Sequence, residues 1–277
     1  MSVISDVLQL RIMMCFLSSS KENCTVMGIS RTLNEEKYKI SRAMIRMEQE
    51  GLIDRSNNRA PRLTQAGLKE AERYQERLDI TQNHLLYEGL EIDKARTDAL
   101  YMALYCSEAF MNVIRFTDER YRVKNELKEK KNFNGTILCE RFKDGNYQFP
   151  FVIYREQFME NNNISRANES FTHPCDLIIK EGKGMIQLCA VPVVKRQEST
   201  GKMLHGRVNS LEYFDSGRFI SAESNGNIIS FPADAVNFTN MRSGMGRIFH
   251  GNICIRLKYS IDGVEMPPTK AVFTILM

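Results

Sequence analysis

The sequence lacks the apolar runs that a membrane protein needs. Its longest apolar stretches, residues 12–17 and 271–277, are much shorter than the roughly 18 residues that cross a bilayer. The N-terminus also lacks a basic segment followed by an apolar core and a cleavage site, so we expect no secretory signal. These absences predict a protein without a membrane partner.

Neither disulfide bonds nor a strong charge imbalance is indicated. The seven cysteines are an odd number without Cys-x-x-Cys spacing, which is typical of reduced thiols in a cytoplasmic protein. The net charge of +4 is too small to indicate a nucleic-acid partner by itself. With 43% apolar and 26% charged residues, the composition excludes wholesale disorder and a fibrous repeat, and 277 residues suit two domains.

Composition changes near residue 132. One proline and four glycines precede this point, whereas six prolines and twelve glycines follow it. The first part shows helical periodicity. The second part contains short β-branched and aromatic runs separated by turn residues, which favours a sandwich- or barrel-like β domain over 132–277. These runs are 136–142, 149–154, 176–180, 185–194, 207–213, 227–231, 253–259 and 271–276.

The first part has the element order of a winged helix-turn-helix. Periodicity predicts helices over 5–18, 27–33 and 37–50, then a hairpin over 52–64 and a long helix over 65–88. Ile40, Met44 and Met47 form one apolar stripe, Gly51 ends that helix, and Thr64 can cap the long helix. The overall prediction is an α+β multidomain protein, with a winged helix-turn-helix over 1–75 and a helical region over 76–131.

The helix over 37–50 has a cationic outer face. Lys39, Arg42 and Arg46 recur at i, i+3 and i+7, and residues 37–62 contain seven basic and three acidic side chains, a local net charge of +4. Arginine can read guanine in the major groove, and a basic hairpin suits the phosphate backbone. A solvated face, or a winged helix that binds only proteins, is the alternative. We predict DNA contacts by Lys37, Tyr38, Lys39, Ser41, Arg42, Arg46, Arg55, Arg59 and Arg62.

The sequence MIRMEQEGLI at 44–53, followed by LTQAG at 63–67, resembles the winged-helix domain of the DtxR/MntR family of iron- or manganese-dependent repressors. The resemblance covers about residues 5–125 and continues through GLEIDK at 89–94 and Ser107-Glu108. It implies a transcription regulator, a repressor in that family, whose helical region dimerises. The homodimer would present two recognition helices to a palindromic operator in double-stranded DNA.

The metal ligands that the resemblance implies are not retained. Of the ligand positions that the resemblance implies, one falls at Arg77 or Leu78 on the long helix and another near Asp6 or Gln9 on the first helix. Since a transition-metal site needs several converging N, O or S donors, we predict no metal and no cofactor. A different site that includes His84 and Cys106 is the alternative. The other three ligand positions that the resemblance implies lie on the helix after GLEID, and none of the residues there can bind a metal. They are Leu100, Ala103 and Leu104.

Apolar residues around that helix are more numerous than one buried face needs. We predict a homodimer interface here, and burial against the C-terminal domain is the alternative or an addition. The residues are Leu100, Met102, Ala103, Leu104, Phe110, Met111, Val113, Ile114 and Phe116.

The C-terminal half shows no strong enzyme motif. GxSxG, GxxxxGK[ST] and HExxH are all absent, so we predict a protein that is not an enzyme. His173 and Cys175 are two residues apart and can share a strand face, so a nucleophilic Cys175 is an alternative. We expect this domain to sense an unidentified small molecule or to bind a protein partner. An anionic group of such a small molecule would pair with Arg218, Arg242, Arg247 or Arg256.

Overall fold

The computed structural model describes residues 6–18, 24–157, 162–196, 201–241 and 247–277. Within these ranges the chain forms seven α-helices and sixteen β-strands, an α+β fold. It divides into two compact units, Met1–Asp118 and Glu119–Met277. The division falls inside the helix Glu108–Glu126, earlier than the sequence-based boundary at 131/132, and residues 1–75 share the first unit with most of 76–131. In the described ranges no helix combines the length and apolarity needed to cross a bilayer.

The first unit confirms the predicted helices and hairpin. Thr64 caps the long helix, since its Oγ1 accepts a hydrogen bond from the Gly67 amide over 3.0 Å. Gly51 has a φ of +72°, which suits the glycine that ends a helix. The elements are α1 Val7–Ser18, α2 Val26–Leu33, α3 Lys37–Gln49, β1 Ile53–Asp54, β2 Arg62–Leu63, α4 Gln65–Tyr87, α5 Ile92–Tyr105 and α6 Glu108–Glu126.

One apolar core holds this unit together. Ile40, Met44 and Met47 of α3 are fully buried against Leu10 of α1 and Tyr74 of α4. Burying such a side chain contributes roughly 1.5–3 kcal/mol. The inner face of α3 is therefore fixed, which leaves its opposite face directed outward.

The second unit is a two-sheet sandwich of antiparallel strands. Its elements are β3 Asn132–Asn134, α7 Gly135–Cys139, β4 Gly145–Phe149, β5 Phe151–Arg155, β6 Cys175–Lys180, β7 Lys183–Cys189, β8 Val193–Arg196, β9 Met203–Asp215, β10 Arg218–Ser221, β11 Glu223–Asn225, β12 Ile228–Pro232, β13 Asn237–Met241, β14 Ile248–Ile261, β15 Val264–Glu265 and β16 Thr269–Leu276, with 3-10 helices Arg166–Ser170 and Ala233–Ala235.

The sheets pack through an aromatic core. The described strands give a five-stranded sheet in the order β11-β12-β7-β6-β4 and a nine-stranded sheet built around β14, which pairs with β9, β13, β15 and β16. The Phe231 ring of the smaller sheet lies 5.7 Å from Tyr213 and 5.6 Å from Phe273 of the larger one, measured between ring centroids. Of the two predicted architectures, the sandwich is the one observed.

One of the strand predictions for the apolar runs is wrong, and two other runs are each divided between two strands. Residues 136–142 begin in helix α7 instead of a strand, because Asn134 caps it by accepting a hydrogen bond from the Ile137 amide over 3.2 Å. The run 149–154 is two strands in different sheets, separated by Pro150, which has no N–H to continue a ladder. The run 185–194 is likewise divided between β7 and β8.

Candidate nucleic-acid interface

A tight turn sets α3 against α2. Thr25 caps α2 by accepting a hydrogen bond from the Gly28 amide over 3.1 Å. Asn34 ends α2 with a φ of +52°, a left-handed conformation that asparagine tolerates. The Ser30 hydroxyl then donates to the Glu35 carbonyl over 2.6 Å. These local bonds fix the angle at which α3 leaves the turn.

The outer face of α3 is cationic, as its periodicity predicts. Lys37, Tyr38, Lys39, Arg42 and Arg46 are exposed, and Ser41 is half-buried. The Arg42 guanidinium lies 5.6 Å from the centroid of the Tyr38 ring, a cation–π distance. An arginine held over a ring in this way keeps its donors available to a groove.

Carboxylates partly neutralise several of the cationic side chains that are predicted to contact DNA. Lys39 Nζ lies 3.8 Å from Glu35, Arg46 Nη1 lies 3.3 Å from Asp6, and Arg55 Nη1 lies 3.5 Å from Glu48. Such surface pairs contribute only about 0–1 kcal/mol, so a phosphate can replace the carboxylate. Among the residues the structure describes, Lys37, Arg42 and Arg59 form no ion pair.

The hairpin β1–β2 carries the remaining side chains that are predicted to contact DNA. Ile53 pairs with Leu63 and Asp54 with Arg62, and Arg59 and Arg62 are exposed whereas Arg55 is half-buried. Hydrogen bonds from Ser56 and the nearby charge of Arg62 lower the pKa of Asp54 below its usual value. The side chains of α3 and the hairpin therefore present cations from two elements of one compact unit.

The sequence reasoning missed two contributors to this surface. Ile45 is 42% exposed on α3, an apolar side chain that suits a thymine methyl group or a protein partner. Arg11 of α1 donates from Nη1 to Glu35 over 3.2 Å and from Nη2 to the Leu33 carbonyl over 3.0 Å. Arg11 thereby braces the turn before α3. Only the fold brings it there, so no local signal predicts this role.

A second surface of the first unit is apolar. Tyr101 and Tyr105 of α5 are exposed with ring centroids 6.4 Å apart, and Phe110, Val113 and Phe116 of α6 are exposed as well. By contrast, the predicted interface residues Ala103, Leu104, Met111 and Ile114 are buried in the unit itself, and Leu100 and Met102 pack against its core clusters.

The positions that correspond to the family's metal ligands do not fit a metal. Ala103 and Leu104 are buried, and Leu104 belongs to the apolar core of the unit, against which Leu100 packs. Arg77 is buried and donates to Glu108 and to the Cys106 carbonyl, while Leu78 packs in the apolar core. Asp6 and Gln9 bond to Arg46 and Glu50 respectively.

No cluster of three or more His, Cys, Asp or Glu side chains able to hold a metal occurs within the described ranges. The alternative pair, His84 and Cys106, lies in the same unit. His84 Nδ1 is buried without a hydrogen-bond partner among described atoms, and Cys106 packs against the small cluster of Ile80, Met111 and Ile114. That environment suits a structural thiol better than a ligand.

His173 and Cys175 have separate partners. Burial raises the pKa of Cys175 to about 12, and its thiol donates to the Phe149 carbonyl over 3.3 Å. His173 stacks on Phe151 with ring centroids 4.0 Å apart, and its Nε2 lies 3.2 Å from the Asn168 carbonyl. Cys175 is therefore protonated at neutral pH, whereas a nucleophile requires the thiolate.

Three of the four arginines predicted to be available to an anionic ligand lie in the described part of the chain. Arg218 is exposed on β10. Arg256 pairs with Glu212 and lies 4.4 Å from the Phe219 ring centroid, so its charge is already engaged. Arg247 precedes β14, and Arg242 lies outside the described residues.

Comparison with known proteins leaves the family open. No family model and no curated protein matches the chain. The manganese regulator SloR is 11% identical over 83% of this chain and 99% of its own, with a TM-score of 0.34. IdeR of T. acidophilum is 17% identical over 73% and 92%, with a TM-score of 0.33. The NEAT5 domain of IsdX2, a B. anthracis hemophore solved in complex with heme, is 16% identical over 48% and 96%, with a TM-score of 0.30. These values assign neither a family nor a ligand.

Proposed function

We propose that this protein is a sequence-specific DNA-binding transcription regulator that acts as a homodimer. It is DtxR-like in its winged helix but does not depend on metal, and its β sandwich is an effector or interaction domain. The observation that carries the proposal is α3, whose inner face is fully buried while Lys37, Tyr38 and Arg42 face outward. That geometry is the one a recognition helix needs to reach base edges.

The hairpin supports the same function. Arg59 and Arg62 add exposed cations beside the helix, and binding through such side chains is expected to weaken steeply with salt, because phosphate contacts release counterions. Function by binding alone agrees with the raised pKa of Cys175, because the thiol of the His173–Cys175 pair then stays protonated. All seven cysteines, each within the described ranges, are free, as in a reducing compartment such as the cytoplasm.

The exposed apolar surface of α5 and α6 supports the homodimer. Tyr105 and Val113 are each more than 60% exposed, and an exposed apolar patch on a protein surface commonly marks an interaction site. A two-fold dimer through these helices would present two copies of α3 to a palindrome.

A protein-binding winged helix without DNA affinity is the second candidate. The exposed Tyr38 and Ile45 on α3 favour it, as do the carboxylates that pair with Lys39, Arg46 and Arg55. Aromatic and apolar side chains among paired charges are also features of protein interfaces.

The deciding experiment is selection of bound fragments from random duplex DNA by the purified, chelator-treated protein. We expect a palindrome to be enriched without added metal. Enrichment that requires added Mn²⁺, Fe²⁺ or Zn²⁺ would contradict the metal-independent mechanism. Failure to enrich any sequence with or without metal would favour the protein-binding candidate. An Arg42→Ala variant is carried through the same selection as a control. A sequence that this variant enriches as strongly as the wild type is bound without the contribution of Arg42 on α3.

A further inference from the structure

The second unit contains a cavity at one end of its sandwich. Its volume is about 540 Å³, within the roughly 300–1,000 Å³ range of small-molecule sites. The cavity lies among β8, β9, the β14–β15 hairpin and the 3-10 helix Arg166–Ser170. Arg218, Arg247 and Arg256, the described members of the four arginines named from the sequence, do not line it.

The cavity wall is mainly apolar. Leu204 and Gly206 of β9 are two residues apart and face the same side, and Ile261 and Met266 line the cavity from the hairpin. Gly206 pairs with both Val193 and Ile261. A Cβ built on Gly206 would have a single neighbour within 4 Å, the Val193 carbonyl oxygen at 3.7 Å. The absence of a side chain at Gly206 therefore contributes to the open space.

A bulge places a tyrosine in the same wall. The β9–β14 register shifts between Lys258 and Tyr259, and bulges redirect side chains next to binding sites. Tyr259 lines the cavity, and within the described part of the chain its hydroxyl has no hydrogen-bond partner. Burial raises the pKa of this hydroxyl well above its usual value, so Tyr259 is a neutral donor at the cavity wall.

The charge of the cavity lining is positive. Arg155 and Arg166 line it, and no carboxylate from the described residues does. Arg155 Nε donates to the Ile164 carbonyl over 3.4 Å, which orients its guanidinium. Arg166 is exposed at the rim, and within the described ranges it forms no ion pair. Two guanidinium groups beside an apolar wall are complementary to a carboxylate on an apolar body.

We propose that this cavity binds an amphipathic organic carboxylate, whose anionic group is held by Arg166 and Arg155 and whose apolar body lies against Leu204, Ile261 and Met266. The Tyr259 hydroxyl donates a hydrogen bond to a polar atom of the ligand. This inference rests on the proposed function in one respect, which is that the ligand is called an effector of a regulator. Its binding is a property of the second unit and is measured without DNA, so either proposal can fail alone.

Isothermal titration of the full-length protein with 2-naphthoate and with decanoate tests the proposal. We expect at least one of these carboxylates to bind with saturation at one site per chain, and its neutral primary amide to bind at least tenfold more weakly. Arg166→Gln should weaken binding at least tenfold, because a charge-assisted hydrogen bond is lost. Gly206→Leu should abolish binding, because the new side chain occupies the cavity.

Arg218→Gln is the matched control, because it removes an exposed arginine of the same unit that does not line the cavity. It should leave affinity within twofold of the wild type. Circular dichroism confirms that each variant is folded, and Tyr259→Phe provides a milder second change in the cavity with an expected loss of several-fold. The proposal is overturned if neither carboxylate binds with saturation, if acid and amide bind equally, or if folded Arg166→Gln and Gly206→Leu variants keep wild-type affinity.

Discussion

Arg77 of α4 donates from Nη1 to Glu108 Oε2 over 3.0 Å, and its Nη2 donates to the Cys106 carbonyl over 2.6 Å. The Arg77 side chain is 6% exposed, whereas that of Glu108 is 55% exposed. A permanent cation thus connects α4 to the C-cap residue of α5 and to the first residue of α6. Arg77 is one of the positions where the resemblance implies a metal ligand, and its guanidinium is instead engaged by Glu108 and the Cys106 carbonyl.

The unequal burial of this pair predicts unequal costs of mutation. Glu108→Gln leaves a buried guanidinium without its carboxylate and should lower the free energy of unfolding by about 2–3 kcal/mol. Arg77→Met leaves a solvated carboxylate and removes the donor to the Cys106 carbonyl, and it should cost about 1 kcal/mol. Urea denaturation followed by helical circular dichroism measures both. Arg96→Gln, which removes an exposed pair with Asp93, should change stability by less than about 0.5 kcal/mol. A larger loss for Arg77→Met than for Glu108→Gln would contradict this account.

Arg42 and Arg59 are predicted to make different kinds of DNA contact. Arg42→Ala should weaken binding to the selected operator by about 1–3 kcal/mol and relax the preference at one base position. Arg59→Ala should weaken binding to all duplexes evenly, as loss of a phosphate contact does. Fluorescence anisotropy with the operator and single-base variants distinguishes them, and Lys39→Ala should resemble Arg59→Ala. An equal loss on every duplex for Arg42→Ala would exclude its role as a base reader.

The apolar surface of α5 and α6 is expected to be the dimer interface. Val113→Glu places a charge on an exposed apolar position and should shift the protein to a monomer, because burying an unpaired carboxylate is unfavourable. Light scattering after size-exclusion chromatography reports the mass. Arg96→Glu on the other side of α5 is the matched control and should leave the dimer intact. A wild-type monomer at high micromolar concentration would refute the proposed dimer.

Gly67 is expected to tolerate no side chain. Glycine-to-alanine changes inside helices normally stabilise by about 0.5–1 kcal/mol. Here an added Cβ would lie 1.8 Å from the Leu52 carbonyl oxygen, an impossible contact with backbone. We therefore expect Gly67→Ala to lower the free energy of unfolding by more than about 2 kcal/mol. Lys69→Ala on the exposed face of the same helix should have little effect in the same urea titration. A stabilising Gly67→Ala would show that the hairpin does not pack against α4 in this way.

Glu119 should make the second unit sensitive to acid. Burial alone would raise the pKa of Glu119, but hydrogen bonds from the Arg122 guanidinium and the Lys143 amide outweigh it and lower the pKa below the usual 4.5. A depressed carboxyl pKa contributes stability above the unfolded-state value, and that contribution is lost as pH falls from about 4.5 through the folded-state pKa.

The test compares Glu119→Gln with the wild type between pH 3 and 7, followed by tyrosine fluorescence because the chain has no tryptophan. The variant should be less stable at pH 7 by about 1–3 kcal/mol, and the difference should shrink as the pH approaches 3. The exposed Glu223→Gln on β11 should leave the pH profile unchanged. A difference between Glu119→Gln and wild type that is constant across this range would contradict the assignment.

The sequence alone predicted the helices and hairpin of the first unit, and for the second unit it predicted most of the strands but not the sheet that each one joins. Apolar spacing placed Ile40, Met44 and Met47 on the buried face of α3, and Thr64 was identified as a cap, because both signals depend on residues a few positions apart. The same periodicity placed Arg42 on the exposed face. Short apolar runs such as 136–142 are compatible with either a helix or a strand, and the Asn134 cap decided in favour of a helix.

Tertiary structure determined which charges are available and where a ligand can fit. The carboxylates that pair with Lys39, Arg46 and Arg55 include Asp6, which is far from Arg46 in sequence and is brought near it by packing of α1. The cavity likewise brings together Arg166, Gly206 and Tyr259 from three separate elements. Helix periodicity is a property of neighbouring residues, so the sequence was sufficient to define the outer face of α3. Ion pairs and cavities depend on distances between remote segments, and those distances exist only once the core has packed.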